Sequence, residues 1–121
     1  MAKLLVVDDE KNLRLVVQKE MTRQGHDVET ASDGEAAWEI LEARDFDVLL
    51  CDINMPRLDG FGFIEKAREL PAHRATPILV LSTESSDEKK ARARTAGASG
   101  WIVKPFNSET LLRAVRRVTT G

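Results

Sequence analysis

The sequence predicts an α/β fold, a parallel sheet of five strands covered by helices on both faces in a three-layer sandwich. Two observations carry this. Short apolar runs rich in β-branched residues alternate with longer segments of helical period, five times over. The runs are flanked by turn or charged residues, as buried strands of a parallel sheet are. The length of 121 residues suits one compact domain, residues 1–121, without room for a second.

The strand candidates are residues 4–7, 28–31 (weaker and alternating), 48–51, 78–81 and 101–103. Between the first two, Leu13, Val16, Val17 and Met21 make one apolar stripe, closed by Gly25 as a C-terminal cap. Ser32 followed by Glu35 is a capping-box signature opening a helix with Ala36, Ala37, Ile40 and Leu41. Phe63, Ile64, Ala67 and Leu70 form a third stripe, ended by Pro71 and followed by a loop over residues 71–77. Ser85 and Glu88 have capping-box spacing before a helix over residues 89–96 with a weak stripe, which Gly97 closes. Leu111, Leu112, Val115 and Val118 mark a final helix after Asn107 and Ser108. Right-handed crossovers join such βα units.

Composition narrows the function classes. An apolar fraction of 42% and a charged fraction of 31% describe a globular chain rather than a disordered one. A net charge of -2 argues against direct nucleic-acid binding. No apolar run approaches the roughly 20 residues that span a bilayer, and the N-terminus lacks a signal-peptide pattern. Cys51 is the single cysteine, which fits a reducing, cytoplasmic setting.

Ligands of open α/β sheets bind outside the carboxyl ends of the strands. Asp8 and Asp9 follow the first run, Asp52 the third, Ser82 and Thr83 the fourth, and Lys104-Pro105-Phe106 the fifth. The fold gathers on one rim residues that lie far apart in the chain. Three close carboxylates repel one another and relieve the repulsion by binding a cation or shifting their pKa values. Oxygen ligands without histidine or cysteine favour Mg²⁺ over zinc. Lys104 and the Ser82 hydroxyl suit the remaining oxygens of a phosphoryl group. A carboxylate can itself attack phosphorus, and Asp52, alone at its strand end, is the best-placed nucleophile.

Leu5-Val6-Val7-Asp8-Asp9-Glu10, Asp52 with Met55-Pro56 and Asp59-Gly60, Ser82, and Lys104-Pro105-Phe106 together resemble a two-component response regulator receiver domain, over essentially the whole chain. Residues 96–106 are most similar to the stand-alone chemotaxis regulators of the CheY type. The resemblance implies a flavodoxin-like (βα)5 sandwich with strand order 2-1-3-4-5. It implies that Asp52 accepts a phosphoryl group from a histidine kinase or phosphotransfer protein. Asp9 and Asp52 then bind Mg²⁺ directly, Asp8 through water, and the Asn54 backbone carbonyl adds a ligand. It further implies that Lys104 pairs with the phosphoryl group beside a cis Lys104–Pro105 peptide. Ser82 and Thr83 belong to the switch loop, and Trp101 occupies the aromatic position whose rotamer follows the Ser82 hydroxyl. Ser82 stands where Thr is more frequent, and Trp101 is bulkier than the usual Tyr or Phe.

The expected activity is phosphorelay signalling rather than enzymatic turnover, with at most Mg²⁺-dependent self-phosphorylation from small phosphodonors and self-dephosphorylation. An aspartyl-phosphate phosphatase needs a second acid two residues after its nucleophile, and Asn54 stands there. Neither a Walker A sequence nor a Gly-rich dinucleotide turn is present. The expected partner is a protein target in chemotaxis, such as a flagellar-motor component; a phosphate sink is the related alternative. A receiver cut from a longer regulator with a DNA-binding or enzymatic output is the other. Receivers of the OmpR type carry acidic residues at the start of the fifth strand, and Ser99 and Gly100 stand there instead, which favours the stand-alone reading.

Other residues have plainer readings. Cys51 reads as a core thiol, Asp59-Gly60 as a turn and helix cap, His26 and His73 as surface residues, and Trp38 as packing on or near the sheet. Lys89, Lys90, Arg92 and Arg94 read as a solvated helix face, or with Trp101, Arg113, Arg116 and Arg117 as a basic output surface.

Overall fold

The computed structural model describes residues 2–53 and 59–119; Asn54, Met55 and Pro56 lie outside them. Strands β1 (Lys3–Val7), β2 (Asp27–Ala31), β3 (Val48–Asp52), β4 (Ile78–Ser82) and β5 (Gly100–Val103) alternate with helices α1 (Lys11–Arg23), α2 (Gly34–Ala43), α3 (Gly60–Glu69), α4 (Asp87–Ala96) and α5 (Ser108–Thr119). The strands pair in parallel in the order β2-β1-β3-β4-β5, the flavodoxin-like order. The register aligns the strand ends: Val7 lies beside Ala31 and Cys51, Asp52 beside Leu81, and Ser82 beside Val103. Asp8, Asp52, Ser82 and Lys104 thereby come to one rim.

Alternation along each strand divides the core into two layers, because successive side chains point to opposite faces. Leu5, Val7, Leu49, Cys51, Ile78 and Val80 pack with Ala37, Leu41, Phe63, Ile64, Ala67 and Ala93 of α2, α3 and α4. Leu4, Val6, Leu50, Leu79 and Leu81 pack with Val17, Met21, Leu111 and Val115 of α1 and α5. Trp38 packs against the first layer, with the Lys66 ammonium 4.5 Å from its ring centroid.

Several local details depart from the sequence reading. The cap of α2 is Asp33 rather than Ser32, its Oδ1 accepting from the Ala36 N–H at 2.8 Å. The cap of α4 is Ser86 rather than Ser85, accepting from the Lys89 N–H. In α1 the row Leu13, Val17, Met21 faces the sheet at helical spacing, so Val16 falls on its flank and is 59% exposed beside Leu15. The expected 71–77 loop contains a 3₁₀ turn, Pro71–His73.

That turn overturns the surface reading of His73, whose side chain is fully buried with Nε2 accepting from the Phe46 N–H at 3.2 Å. Burial holds its pKa below the ordinary value; Asp45 pulls upward and Arg68 downward. Arg68 clasps this end of the sheet. Its guanidinium donates to the carbonyls of His73 (2.8 Å), Thr76 (2.6 Å) and Gly97 (3.1 Å from Nε and 2.7 Å from Nη2). His26 is half-buried, its Nδ1 accepting from the Ala2 N–H at 3.0 Å.

Candidate functional site

Asp8 leaves β1 with its N–H still donating to the Ala31 carbonyl at 3.1 Å, which prolongs the ladder by one residue. Its side chain is fully buried, with Oδ1 accepting from the Glu10 N–H at 2.9 Å and Oδ2 from the Lys104 ammonium at 2.7 Å. Asp52 ends β3 and is 5% exposed, with Oδ2 3.5 Å from the Lys104 Nζ. Asp9 is exposed, yet Asp8, Asp9 and Asp52 each bring an oxygen within 4.8 Å of the others. Three carboxylates therefore cluster, and two of them, Asp8 and Asp52, meet the Lys104 ammonium. Burial by itself pulls the Lys104 pKa down; the hydrogen bond and charge of Asp8, with the nearby Asp52, outweigh it and hold it above the ordinary value. The donor set is oxygen-only and carries more negative than positive charge, which fits a hard divalent cation such as Mg²⁺.

Lys104 arrives because β5 continues one residue past its end, the Lys104 N–H donating to the Ser82 carbonyl at 2.7 Å. The Lys104–Pro105 peptide is cis. Ser82 is fully buried, and its Oγ accepts from the Glu84 N–H at 3.0 Å, a contact that uses only a lone pair. The Glu84 carbonyl in turn accepts from the Trp101 indole N–H at 2.9 Å, and the Glu84 carboxylate pairs with Lys89. Ser82, Glu84 and Trp101 thus form a continuous hydrogen-bonded path from the rim to the outer edge of β5. Thr83 is exposed and lines a cleft with Glu10, Leu13, Lys104, Pro105 and Phe106.

Two neighbours fix Asp52 from behind. Gly60 opens α3 so close to the end of β3 that a Cβ there would lie 2.4 Å from the Asp52 carbonyl oxygen and from the Ile53 Cα. Only glycine permits that approach. Asp59 caps α3, accepting from the Gly62 N–H at 2.8 Å. Cys51 is fully buried, donates weakly to the Asp52 carbonyl at 3.3 Å, and has its thiol pushed far up by burial and by the charges of Asp52, Asp8 and Asp59. It is a core thiol.

The basic residues of α4 and α5 point in several directions. Lys90, Arg94 and Trp101 line one cleft, and Arg117 with Trp101 lines another on the far side of β5. Arg92 turns toward α3, its guanidinium 4.1 Å from the Phe61 ring centroid. Arg113 pairs with Glu109 at 2.7 Å, and Arg116 is exposed. Arg14, whose Nη1 donates to the Asp8 carbonyl at 2.7 Å, escaped the sequence reading, and Gly60 was read there only with Asp59 as a turn and helix cap. A glycine that follows a turn aspartate carries no distinguishing mark, and an arginine in a first helical turn reads as solvated.

A family model for the response regulator receiver domain matches residues 4–116. The chain belongs to the response regulator receiver domain family, the phosphoacceptor modules of two-component systems. It is 38% identical over 111 residues to a chemotaxis protein CheY homolog of Campylobacter jejuni, covering 90% of this chain and 85% of that one. It is 36% identical over 118 residues to the gliding motility regulatory protein of Myxococcus xanthus, covering 97% of this chain and only 15% of that much longer protein. The solved structure of Vibrio cholerae chemotaxis protein CheY4 superposes with a TM-score of 0.95 at 46% identity, over 98% of both chains. No helix among the described residues is long and apolar enough to cross a membrane.

Proposed function

We propose that residues 1–121 form one receiver domain that takes a phosphoryl group onto Asp52 and thereby switches its affinity for a protein target, in a chemotaxis pathway of the cytoplasm. The convergence of Asp8, Asp9 and Asp52 oxygens within 4.8 Å beside the Lys104 ammonium is the observation that carries this reading. Asp8, Asp9 and Asp52 would hold Mg²⁺, with the Asn54 carbonyl as a further ligand outside the described residues. When bound, the ion supplies positive charge that offsets the carboxylates and orients phosphoryl oxygens.

In the transfer step an Asp52 carboxylate oxygen attacks the phosphorus of a phosphohistidine on a histidine kinase or phosphotransfer protein. The new P–O bond forms as the P–N bond breaks, and the imidazole leaves with the electron pair. Lys104 shifts from Asp8 toward the transferred group, whose added charge of about -1.5 to -2 competes for the ammonium. The Ser82 hydroxyl, whose present contact uses its oxygen only, turns to donate to a phosphoryl oxygen. That movement releases the Glu84 N–H and works on Trp101 through the Glu84 carbonyl. Moving such an equilibrium from 1:99 to 99:1 takes about 5.5 kcal/mol of differential stabilisation. Two charge-assisted hydrogen bonds at roughly 1.5–3 kcal/mol each approach it. The target, of which a flagellar-motor component is an example, would read the face around Trp101, Lys90, Arg94 and Arg117. Thr83, Lys89, Arg113 and Arg116 would lie toward its margins, while Arg92 is turned to Phe61 of α3. Beyond self-phosphorylation from small phosphodonors and self-dephosphorylation, the domain is a switch rather than an enzyme.

A second reading keeps the same chemistry and changes the context: a receiver within a longer regulator, or a phosphate sink. The small share of the Myxococcus protein that the chain spans favours keeping it.

The test is tryptophan fluorescence during titration with Mg²⁺ and then beryllofluoride, a stable phosphoryl mimic. Wild type and Asp52→Asn are compared in a Trp38→Phe background, so that Trp101 reports alone. A saturable, Mg²⁺-dependent change that Asp52→Asn abolishes is expected. No fluorescence response, together with no Mg²⁺ binding by calorimetry, would refute the phosphoacceptor reading.

A further inference from the structure

We infer that Arg14 is a positioning residue for the acidic pocket, fixing the peptide plane that sets the directions of the Asp8 and Asp9 carboxylates. The inference deepens the metal-assisted phosphoacceptor reading and rests on it for its functional consequence.

Helix α1 begins without the usual help. Glu10 at its cap has extended backbone and no side-chain cap hydrogen bond, and no acidic residue occupies the first turn. The first helical bond runs from the Arg14 N–H to the Glu10 carbonyl at 3.1 Å. The Asp8 carbonyl therefore lies beyond the last β1 ladder position and before the first helical bond, so neither regular element takes it. It belongs to a fully buried residue, where an unpaired carbonyl is costly. Arg14 reaches back from α1 and donates Nη1 to this carbonyl at 2.7 Å.

The same carbonyl is part of the planar peptide that links Asp8 to Asp9. Holding it fixes how the two side chains stand relative to each other. The Asp8 N–H, Oδ1 and Oδ2 are anchored by Ala31, Glu10 and Lys104, all on the strand or pocket side. Arg14 supplies the anchor from the helix side. Without it the peptide can tilt toward water, carrying the exposed Asp9 carboxylate away from Asp52.

Arg14 is also a cation near a cation site, and its two effects on Mg²⁺ have opposite signs. As a bystander charge it would weaken Mg²⁺ binding, so its removal would tighten it. As a positioning residue its removal weakens binding.

The experiment compares wild type, Arg14→Ala and Arg14→Gln by Mg²⁺ titration calorimetry and by amide hydrogen exchange of the metal-free proteins. Arg14→Ala is expected to lose about 10-fold in Mg²⁺ affinity, the size of effect seen when outer contacts to metal ligands are removed. Arg14→Gln, neutral but able to donate, recovers part of it. The Glu10 amide, bonded to Asp8 Oδ1, exchanges faster in Arg14→Ala, while the Val6 amide inside β1 keeps its wild-type rate. Unchanged or tighter Mg²⁺ binding with unchanged Glu10 exchange overturns the inference. So does equal acceleration at Glu10 and Val6, which marks a general loss of stability. If wild type binds no Mg²⁺, the phosphoacceptor reading falls alone, and Glu10 exchange relative to Val6 still decides whether Arg14 holds the turn.

Discussion

The two ends of the sheet both enclose charge, and they balance it differently. At the carboxyl end, three carboxylates cluster beside one lysine, and Lys104 sits nearer Asp8 (2.7 Å) than Asp52 (3.5 Å). At the amino end, one guanidinium meets three backbone carbonyls in four hydrogen bonds, and His73 packs beneath it. The Arg68 guanidinium spends four of its five N–H donors on backbone carbonyls. Among the described residues the rim keeps a surplus of negative charge, which a cation or a phosphoryl group with its cation can reorganise. A folded domain can therefore confine electrostatic frustration to one end while the other end secures the scaffold.

The sharpest way to break this contrast is to remove the central cation of each end. Lys104→Met leaves buried Asp8 without its ion-pair partner and is expected to cost about 3–5 kcal/mol in urea unfolding without Mg²⁺. It should also gain more stability from added Mg²⁺ than wild type does, because the competing ammonium is gone. Arg68→Ala is expected to cost about 2–3 kcal/mol, from the loss of charge-assisted hydrogen bonds to buried carbonyls, with the same Mg²⁺ response as wild type. Equal Mg²⁺ responses in both variants would erase the proposed difference between the ends.

A smaller effect sharpens the rim side. Trp101→Phe removes the indole donor to the Glu84 carbonyl and should cost about 0.5–1.5 kcal/mol. The same unfolding measurement reads it.

The smallest effect belongs to the amino end. Because the folded pKa of His73 lies below its ordinary value of 6.5, the unfolded chain takes up a proton that the native state resists. Stability is then lost as pH falls from about 6.5 toward the lowered value and levels off below it. Asp45 and Arg68 are the charged groups acting on the ring, in opposite directions. His73→Gln, which cannot titrate, should flatten most of this fall in urea unfolding measured across that range. His26, also lowered by burial, leaves a residue of the same sign.

Much of this was legible from the chain. Strand positions followed from short apolar runs, and the rim residues followed because strand ends in a parallel sheet share one edge. What was not legible depended on contacts between distant segments. Asp33 rather than Ser32 caps α2 because both can cap, and only backbone geometry chooses between them. His73 read as a surface residue, and the clasp of Arg68 went unseen, because their partners, Phe46 and Gly97, come from other βα units. Gly60 read with Asp59 as a turn and helix cap, and its close approach to the end of β3 showed only in the fold. Sequence periodicity reports which face of an element is apolar. It carries no information on which backbone atom of a remote loop needs a donor.

The separation of 96 positions from Asp8 to Lys104 bears on how the protein is made. Once β1 and β3 have paired, Asp8 and Asp52 are already neighbours, while Lys104 follows the last of the five strands to be made. Until β5 pairs with β4, the nascent sheet thus carries clustered carboxylates without the Lys104 ammonium. Docking of β5 brings Lys104 to that edge, and α5, which follows it, then closes the second hydrophobic layer with Leu111 and Val115.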